Sequence, residues 1–387
     1  MEPHMTLTDA EVSERVKTFE HAVVPHEMFK KGQRAVGTLR RRWRPKGVKP
    51  LKARALLILG EPGAGKSFIL ETLRDENPMR VTPDGNIRPV LFVEAPKRTT
   101  PRQLAGAIFD ALEPGYRLRD GWNTARILSE IRMLCEEMCV EVLMIDEAHH
   151  LVDQKNDNDL EDAAEFLKQL LNPFATQIVL AGLPHLGDLP ETTKLRQLRR
   201  RFRPPFHLEP YNWSDRLGRK KYLGILAFFE RHLALPEPSN FTEFDFAARI
   251  YCATGGHIGI ISGQLSLALE AALSEGKARV DLRLLARIYA DLVLRKKPTV
   301  LLDFDAPFLG EAAGAPAEPF GGGSPNPADV ADAELDASAD DNPYLAQGEA
   351  FRALWRKMAG ARMGDQSRVT AHRTVETPPP STFGRSA

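Results

Sequence analysis

The residues best equipped for chemistry form the run Gly60-Glu61-Pro62-Gly63-Ala64-Gly65-Lys66-Ser67, which fits the pattern G-x-x-x-x-G-K-[ST]. Glycines at these positions let successive backbone N–H groups turn into one concavity at the positive end of a following helix, where phosphate oxygens replace water. Lys66 would neutralise the β and γ phosphates of a nucleoside triphosphate, Ser67 would hold Mg²⁺, and Phe68 continues into the helix behind them. Eighty residues further on (146 − 66), the apolar run Val142-Leu143-Met144-Ile145 ends in Asp146 and Glu147. Asp146 at a strand tip would orient water on Mg²⁺, and Glu147 would polarise the attacking water. Alone, the first pattern is also an ordinary glycine-rich turn and the second a solvated acidic turn. Together and in this order they predict binding and hydrolysis of ATP, with ATP and Mg²⁺ as cofactors.

A third candidate is Leu198-Arg199-Arg200-Arg201-Phe202-Arg203. An arginine supplied by a neighbouring subunit stabilises charge on a transferring phosphoryl group and makes hydrolysis depend on assembly. Arg201 is the expected finger and Arg200 its substitute; the plainer reading is a basic surface helix. Asp146-Glu147-Ala148-His149 also spells the DEAH tetrapeptide of one helicase class. Only one phosphate-loop domain is present, however, and no second strand and helix array follows Pro210, so the helicase reading falls away. His149 and His150 read as turn residues without a third metal ligand. Cys135, Cys139 and Cys252 are too few for a disulfide framework and read as reduced packing residues.

These groups need a scaffold, and the hydrophobic pattern supplies one. Expected strands at Ala55 to Leu59, Val90 to Glu94, Glu141 to Ile145, Gln177 to Ala181 and Phe206 to Leu208 alternate with helical patterns. Those patterns fall at Lys66 to Asp75, Pro101 to Leu112, Thr124 to Cys139, Leu160 to Leu171 and Thr192 to Arg201. Such alternation predicts an α/β domain over 55–212, a parallel sheet sandwiched by helices. Before it, residues 1–54 form an extension with helices at Asp9 to Ala22 and roughly Glu27 to Arg42. After it, residues 213–297 carry apolar residues only at helical spacing, which predicts a small all-helical lid. Residues 298–387 turn rich in Ala, Gly, Pro and Asp, the composition of a disordered tail, broken by one amphipathic stretch at 344–359 that suits a docking helix.

Charge is segregated although the net charge is zero. Lys30 to Arg54 holds eleven Lys and Arg and no acid, and Pro298 to Ala350 holds eleven acids and no base. The basic arm could neutralise DNA phosphates, or be a solvated linker. No run approaches a membrane span, and the N-terminus lacks a secretory leader, so the expected compartment is the cytoplasm, with no membrane partner.

Taken together the residues resemble the AAA+ superfamily: Gly60 to Ser67, Val142 to Glu147, the Arg201-Phe202 pair, and then a helical lid. Within it the chain resembles the transposition ATPases of the TniB and TnsC type, relatives of MuB. The resemblance is carried by Ile58-Leu59-Gly60, by Ile145 to His149, by Phe166-Leu167-Lys168-Gln169-Leu170-Leu171-Asn172, and by Thr254-Gly255-Gly256-His257-Ile258-Gly259. It covers roughly residues 20 to 295. It implies an ATP-dependent ring or helical filament on duplex DNA, nucleoid-associated when bound, that marks a target and stimulates a separate transposase. By the same similarity Lys97, Arg98, Thr99, Thr100 and Arg102, after the second strand, would face the DNA backbone. Two departures stand out. The run Val179 to Pro184 offers Leu183 where the superfamily has a polar γ-phosphate sensor, and Gly256-His257-Ile258-Gly259 lacks the second sensory arginine. Slow hydrolysis, with ATP acting mainly as an assembly switch, follows from both. The competing readings are a loader or initiator ATPase acting on another protein at DNA, and a non-hydrolysing nucleotide-gated scaffold.

Overall fold

The computed structural model describes residues 7–294, except 23, 25, 46, 50, 84, 98–99, 117, 154–156, 172–174, 192–195 and 214–215, together with 342–344, 346 and 350–357. The chain divides into two compact units, Val23–Glu209 and Met1–Ala22 with Pro210–Ala387.

The first unit is built on strands whose residues are apolar on both faces, as parallel strands between helix layers must be. They are β1 (Ala55–Gly60), β4 (Val90–Glu94), β5 (Val142–Asp146), β6 (Gln177–Gly182) and β7 (Phe206–Leu208), in the order β4-β5-β6-β1-β7, all parallel. Every residue of β1, β5 and β6 is buried. A separate antiparallel pair, β2 (Arg80–Thr82) and β3 (Gly85–Ile87), lies between the first two sheet strands in sequence. Strand alternation sends Leu57, Leu59, Leu143, Ile145, Ile178 and Leu180 to one face, against α4 (Pro101–Leu112), α5 (Thr124–Glu137) and α6 (Asp157–Leu171). Leu56, Ile58, Val142, Met144 and Val179 point the other way, onto α2 (Glu27–Arg40) and α3 (Lys66–Asp75). The result is the expected parallel sheet sandwiched by helices.

The second unit is helical: α1 (Asp9–Glu20), α7 (Arg216–Leu233), α8 (Phe244–Thr254), α9 (Ile258–Ser274) and α10 (Leu282–Tyr289), which runs on as a π turn over Ala290–Leu294. Apolar residues surround α9, and α1, α7, α8 and α10 all contact it. α1 is held by Phe19 against Phe229, by Ser266 Oγ donating to Glu20 Oε1 at 2.7 Å, and by Arg15 donating to the Leu233 and Ala234 carbonyls. The two helices expected within 1–54 therefore lie in different units: the apolar face of α1 is buried by lid helices, that of α2 by α3 and the sheet. Residues 350–357 are helical, inside the stretch expected at 344–359; the rest of the expected 298–387 tail, other than 342–344 and 346, lies outside the described residues.

Candidate functional site

The site is assembled where strands end. β1 delivers Gly60, and a Cβ there would stand 2.9 Å from the Leu208 carbonyl oxygen and 3.0 Å from Ala64 Cβ, so only glycine fits between β1 and β7. The loop then turns through Gly63 (φ 71°) and Gly65 (φ 92°), both in the left-handed region that glycine enters without strain. It closes with Ala64 N–H donating to the Glu61 carbonyl at 3.1 Å. Gly65 is the N-cap of α3, and no side chain caps that helix. Lys66 follows, buried, its Nζ donating to the Gly60 carbonyl at 2.8 Å and to that of Glu61 at 3.1 Å. Burial lowers the Lys66 pKa from its ordinary value, opposed by the negative charges of Glu147, Asp146 and Glu61. Lys66 thus stands at the start of α3 within the electrostatic reach of three carboxylates. Ser67 and Phe68, both half-buried, complete the first turn.

The acidic edge comes from β5, separated from β1 in the sheet by β6. Asp146 is buried; its carbonyl accepts from Ala95 N–H at 2.9 Å and its Oδ1 from Glu147 N–H at 2.8 Å, which fixes the carboxylate at the strand tip. Glu147 has left-handed backbone (φ 49°, ψ 30°), unusual for a residue with a side chain, and is half-buried. Burial raises its pKa, with the neighbouring Asp146 adding to the rise and Lys66 and His150 opposing it. The loop Gly60 to Phe68, with Asp146 and Glu147 at the end of β5, thus combines a glycine-turned helix N-terminus and a buried cation with a carboxylate pair. These residues fit ATP and Mg²⁺.

A histidine cluster continues the acidic edge. His149, buried, places Nδ1 3.1 Å from Glu147 Oε2, out of line for a hydrogen bond, and Nε2 3.8 Å from Asp153 Oδ2. Burial drives the His149 pKa down to about 4, so the ring is neutral. Asp153 in turn meets His185 Nε2 at 2.7 Å, just beyond β6. Sequence spacing offered His149 and His150 no third ligand partner; the tight turn brings Glu147 in, with ligand atoms of the three all within 4.8 Å of one another. Asp153 and His185, 32 residues apart in sequence, join only through the packing of the turn on β6, and periodicity carries no signal for that.

The remaining candidates are scattered. Arg201, half-buried, donates from Nη1 to the Leu171 carbonyl at the end of α6, 2.6 Å away, and burial lowers its pKa; Arg200 is exposed. Lys97 is exposed. Thr100 is the N-cap of α4, its hydroxyl oxygen accepting from Gln103 N–H in a capping box. Arg102 donates to the Arg119 and Trp122 carbonyls and lies 3.6 Å from Asp120. Arg98 and Thr99 lie outside the described residues. On α2 the exposed basic residues are Lys30, Lys31 and Arg34, with Arg41 at its C-terminal cap, whereas Arg40 turns in to Glu141 at 2.7 Å and to Asn77.

A phosphate loop after β1 and an acidic pair after β5, on a sheet ordered β4-β5-β6-β1-β7 and followed by a helical unit, define a P-loop ATPase fold of the AAA+ class. Residues 31–213 match the family model described as "Bacterial TniB protein", and that segment is similar to the TniB family. Among solved structures, Cdc6p from Pyrobaculum aerophilum is similar over 70% of this chain and 69% of its own, with 16% identity and a TM-score of 0.50. The ORC2 protein of Aeropyrum pernix, in ADPNP and ADP complexes, is 14% identical with a TM-score of 0.48 over 71% of each chain. The likeness to Cdc6p is one of fold. Among curated proteins, none matches this sequence. Among the described residues no helix is long and apolar enough to cross a membrane.

Proposed function

We propose that this protein is an ATP-dependent DNA-binding regulator of transposition, assembling as a homo-oligomer on duplex DNA and recruiting or activating a separate transposase. The observation that carries the nucleotide half is Lys66, buried in a glycine-turned loop and electrostatically coupled to Asp146 and Glu147 across one intervening strand. When bound, ATP with Mg²⁺ supplies the γ-phosphoryl group and the charge that holds it. The chain's own residues do the rest. The loop N–H groups between Gly60 and Ser67, together with Lys66, would bind and orient phosphates, and Ser67 and Asp146 would hold Mg²⁺. Glu147 Oε accepts a proton from the attacking water; its raised pKa, caused by burial beside Asp146, suits a base that takes a proton and gives it up again. Arg201, or its exposed neighbour Arg200, is the residue offered to a neighbouring subunit's site.

The match of residues 31–213 to the TniB family model supports the transposition half. Exposed Lys97 after β4 and the basic face of α2 supply sequence-independent phosphate contacts, with Arg98, Thr99, Thr100 and Arg102 in the same segment. The test is fluorescence anisotropy of a labelled duplex with a slowly hydrolysed ATP analogue, across a salt series. Binding that requires the analogue, weakens steeply with salt, and loses slope in a Lys97→Ala, Arg98→Ala variant is expected. Salt-independent or nucleotide-independent binding would refute the reading.

A further inference from the structure

The helical unit holds a piece of the chain's own C-terminus. Between Leu294 and Asn342 stand 47 residues (342 − 294 − 1), yet Asn342 Nδ2 donates to the Ala286 carbonyl of α10 at 2.8 Å and its Oδ1 accepts from Tyr344 N–H at 3.0 Å. The Tyr344 hydroxyl donates to Gln264 Oε1 of α9 at 2.6 Å. Arg249 on α8 is held by Asp245 at 2.9 Å and donates from Nη1 to the carbonyls of Pro343 (3.1 Å) and Ala346 (2.9 Å), with its guanidinium 4.9 Å from the Phe351 ring centre. Trp355 packs against Trp213 and Tyr251 at 5.8 and 5.9 Å between ring centres. Tyr344, Phe351 and Trp355 are each at most 2% exposed.

This is the construction of a peptide-recognition groove: three aromatic anchors seated in pockets, and polar groups that read backbone carbonyls at fixed places. Arg249 decides the matter. It is 4% exposed, and two of the acceptors that satisfy its buried charge belong to the docked segment. The seat is incomplete in hydrogen bonding, because Trp355 Nε1 and Gln264 Nε2 are buried without partners among the described residues. That deficit lowers what is lost on release. Every copy of this chain offers the same ligand, and the 47 intervening residues, which can span at most roughly 160 Å, allow it to reach another molecule.

We propose that the groove formed by α8, α9 and α10 is an exchangeable peptide-docking site, and that the 342–357 segment of a second copy takes the place of the chain's own, linking subunits tail to lid. This does not depend on the nucleotide reading. Two full-length variants separate the halves of the contact: one with the anchors removed (Tyr344→Ala, Phe351→Ala, Trp355→Ala), the other with the groove disabled (Arg249→Ala). A fluorescent synthetic peptide of residues 340–359 should bind the anchor variant saturably and wild type at least tenfold more weakly, because the tethered tail competes at high effective concentration. The same peptide carrying Trp355→Ala should bind neither. Mixed without nucleotide, the two variants should form a complex by light scattering that neither forms alone. If the anchor variant does not fold, a protease site placed between Leu294 and Asn342 of the full chain serves instead: after cleavage, excess labelled peptide should displace the tail fragment. Equal peptide binding to wild type and anchor variant, no complex between the two variants, or a cleaved fragment that peptide cannot displace would overturn the proposal.

Discussion

Glu147 occupies a backbone region that costs a residue with a Cβ about 1 kcal/mol or more, and the turn keeps it there between buried Asp146 and buried Ala148. There its carboxylate, half open to water, lies 3.1 Å from His149 Nδ1 and within electrostatic reach of Lys66. Glu147→Gln should preserve nucleotide affinity and lower the hydrolysis rate by roughly 10²- to 10⁴-fold, measured as phosphate release beside equilibrium nucleotide binding. Parallel loss of affinity would mean that Glu147 binds rather than activates. A second residue-scale consequence concerns acid. His26 caps α2, its Nδ1 accepting from Phe29 N–H at 3.2 Å, and burial lowers its pKa from 6.5 to about 4. A base whose folded pKa is depressed contributes stability fully above its unfolded value and loses it as pH falls. Stability should therefore decline between about pH 6.5 and pH 4 at up to one proton, about 1.4 kcal/mol per pH unit. Denaturant titrations of wild type and His26→Asn, which keeps a capping side chain but does not titrate, should differ in that slope; equal slopes would remove His26 from the account.

At the scale of elements, β6 links the acidic turn to the sheet. A Cβ on Gly182, its last residue, would stand 2.9 Å from the His149 backbone nitrogen and 2.9 Å from Leu186 Cδ2. Gly182→Ala should cost about 1–3 kcal/mol by chemical denaturation and displace the Glu147 turn, slowing hydrolysis; a neutral substitution would show that β6 does not set the turn. The sheet itself was legible because β1, β5 and β6 are uninterrupted apolar runs between helical patterns, and each lies within a residue of its expected place. β2 and β3 escaped the pattern because they are three residues long and mostly exposed, with no apolar side to count. The helix expected to reach Cys139 ends at Glu137, where Cys139 turns left-handed (φ 53°) to start β5. Of the helix expected at Thr192 to Arg201, the described part, Arg196–Arg201, is a 3-10 turn, and 192–195 lie outside the described residues. Gly60 to Ser67 and Asp146 with Glu147 were readable because local chain geometry builds phosphate loops and strand tips. The Glu147, His149, Asp153 and His185 cluster was not, since it arises from how one turn packs on another strand's end.

At the scale of the whole molecule, the proposed function is that of a switch read through assembly. The superfamily's polar sensor position is occupied by Leu183, and the lid sequence at Gly256 to Gly259 has no arginine, so nucleotide state would be read mainly through subunit contacts. In the proposed assembly, arginines beside the sheet would be offered to a neighbouring subunit and the basic α2 to DNA. The most direct measurement is electron microscopy of the purified protein on duplex DNA, with a slowly hydrolysed ATP analogue, with ADP, and with Lys66→Ala. The account predicts rings or filaments that require both DNA and the analogue and vanish with ADP or in the variant. Nucleotide binding without DNA-dependent assembly would contradict it.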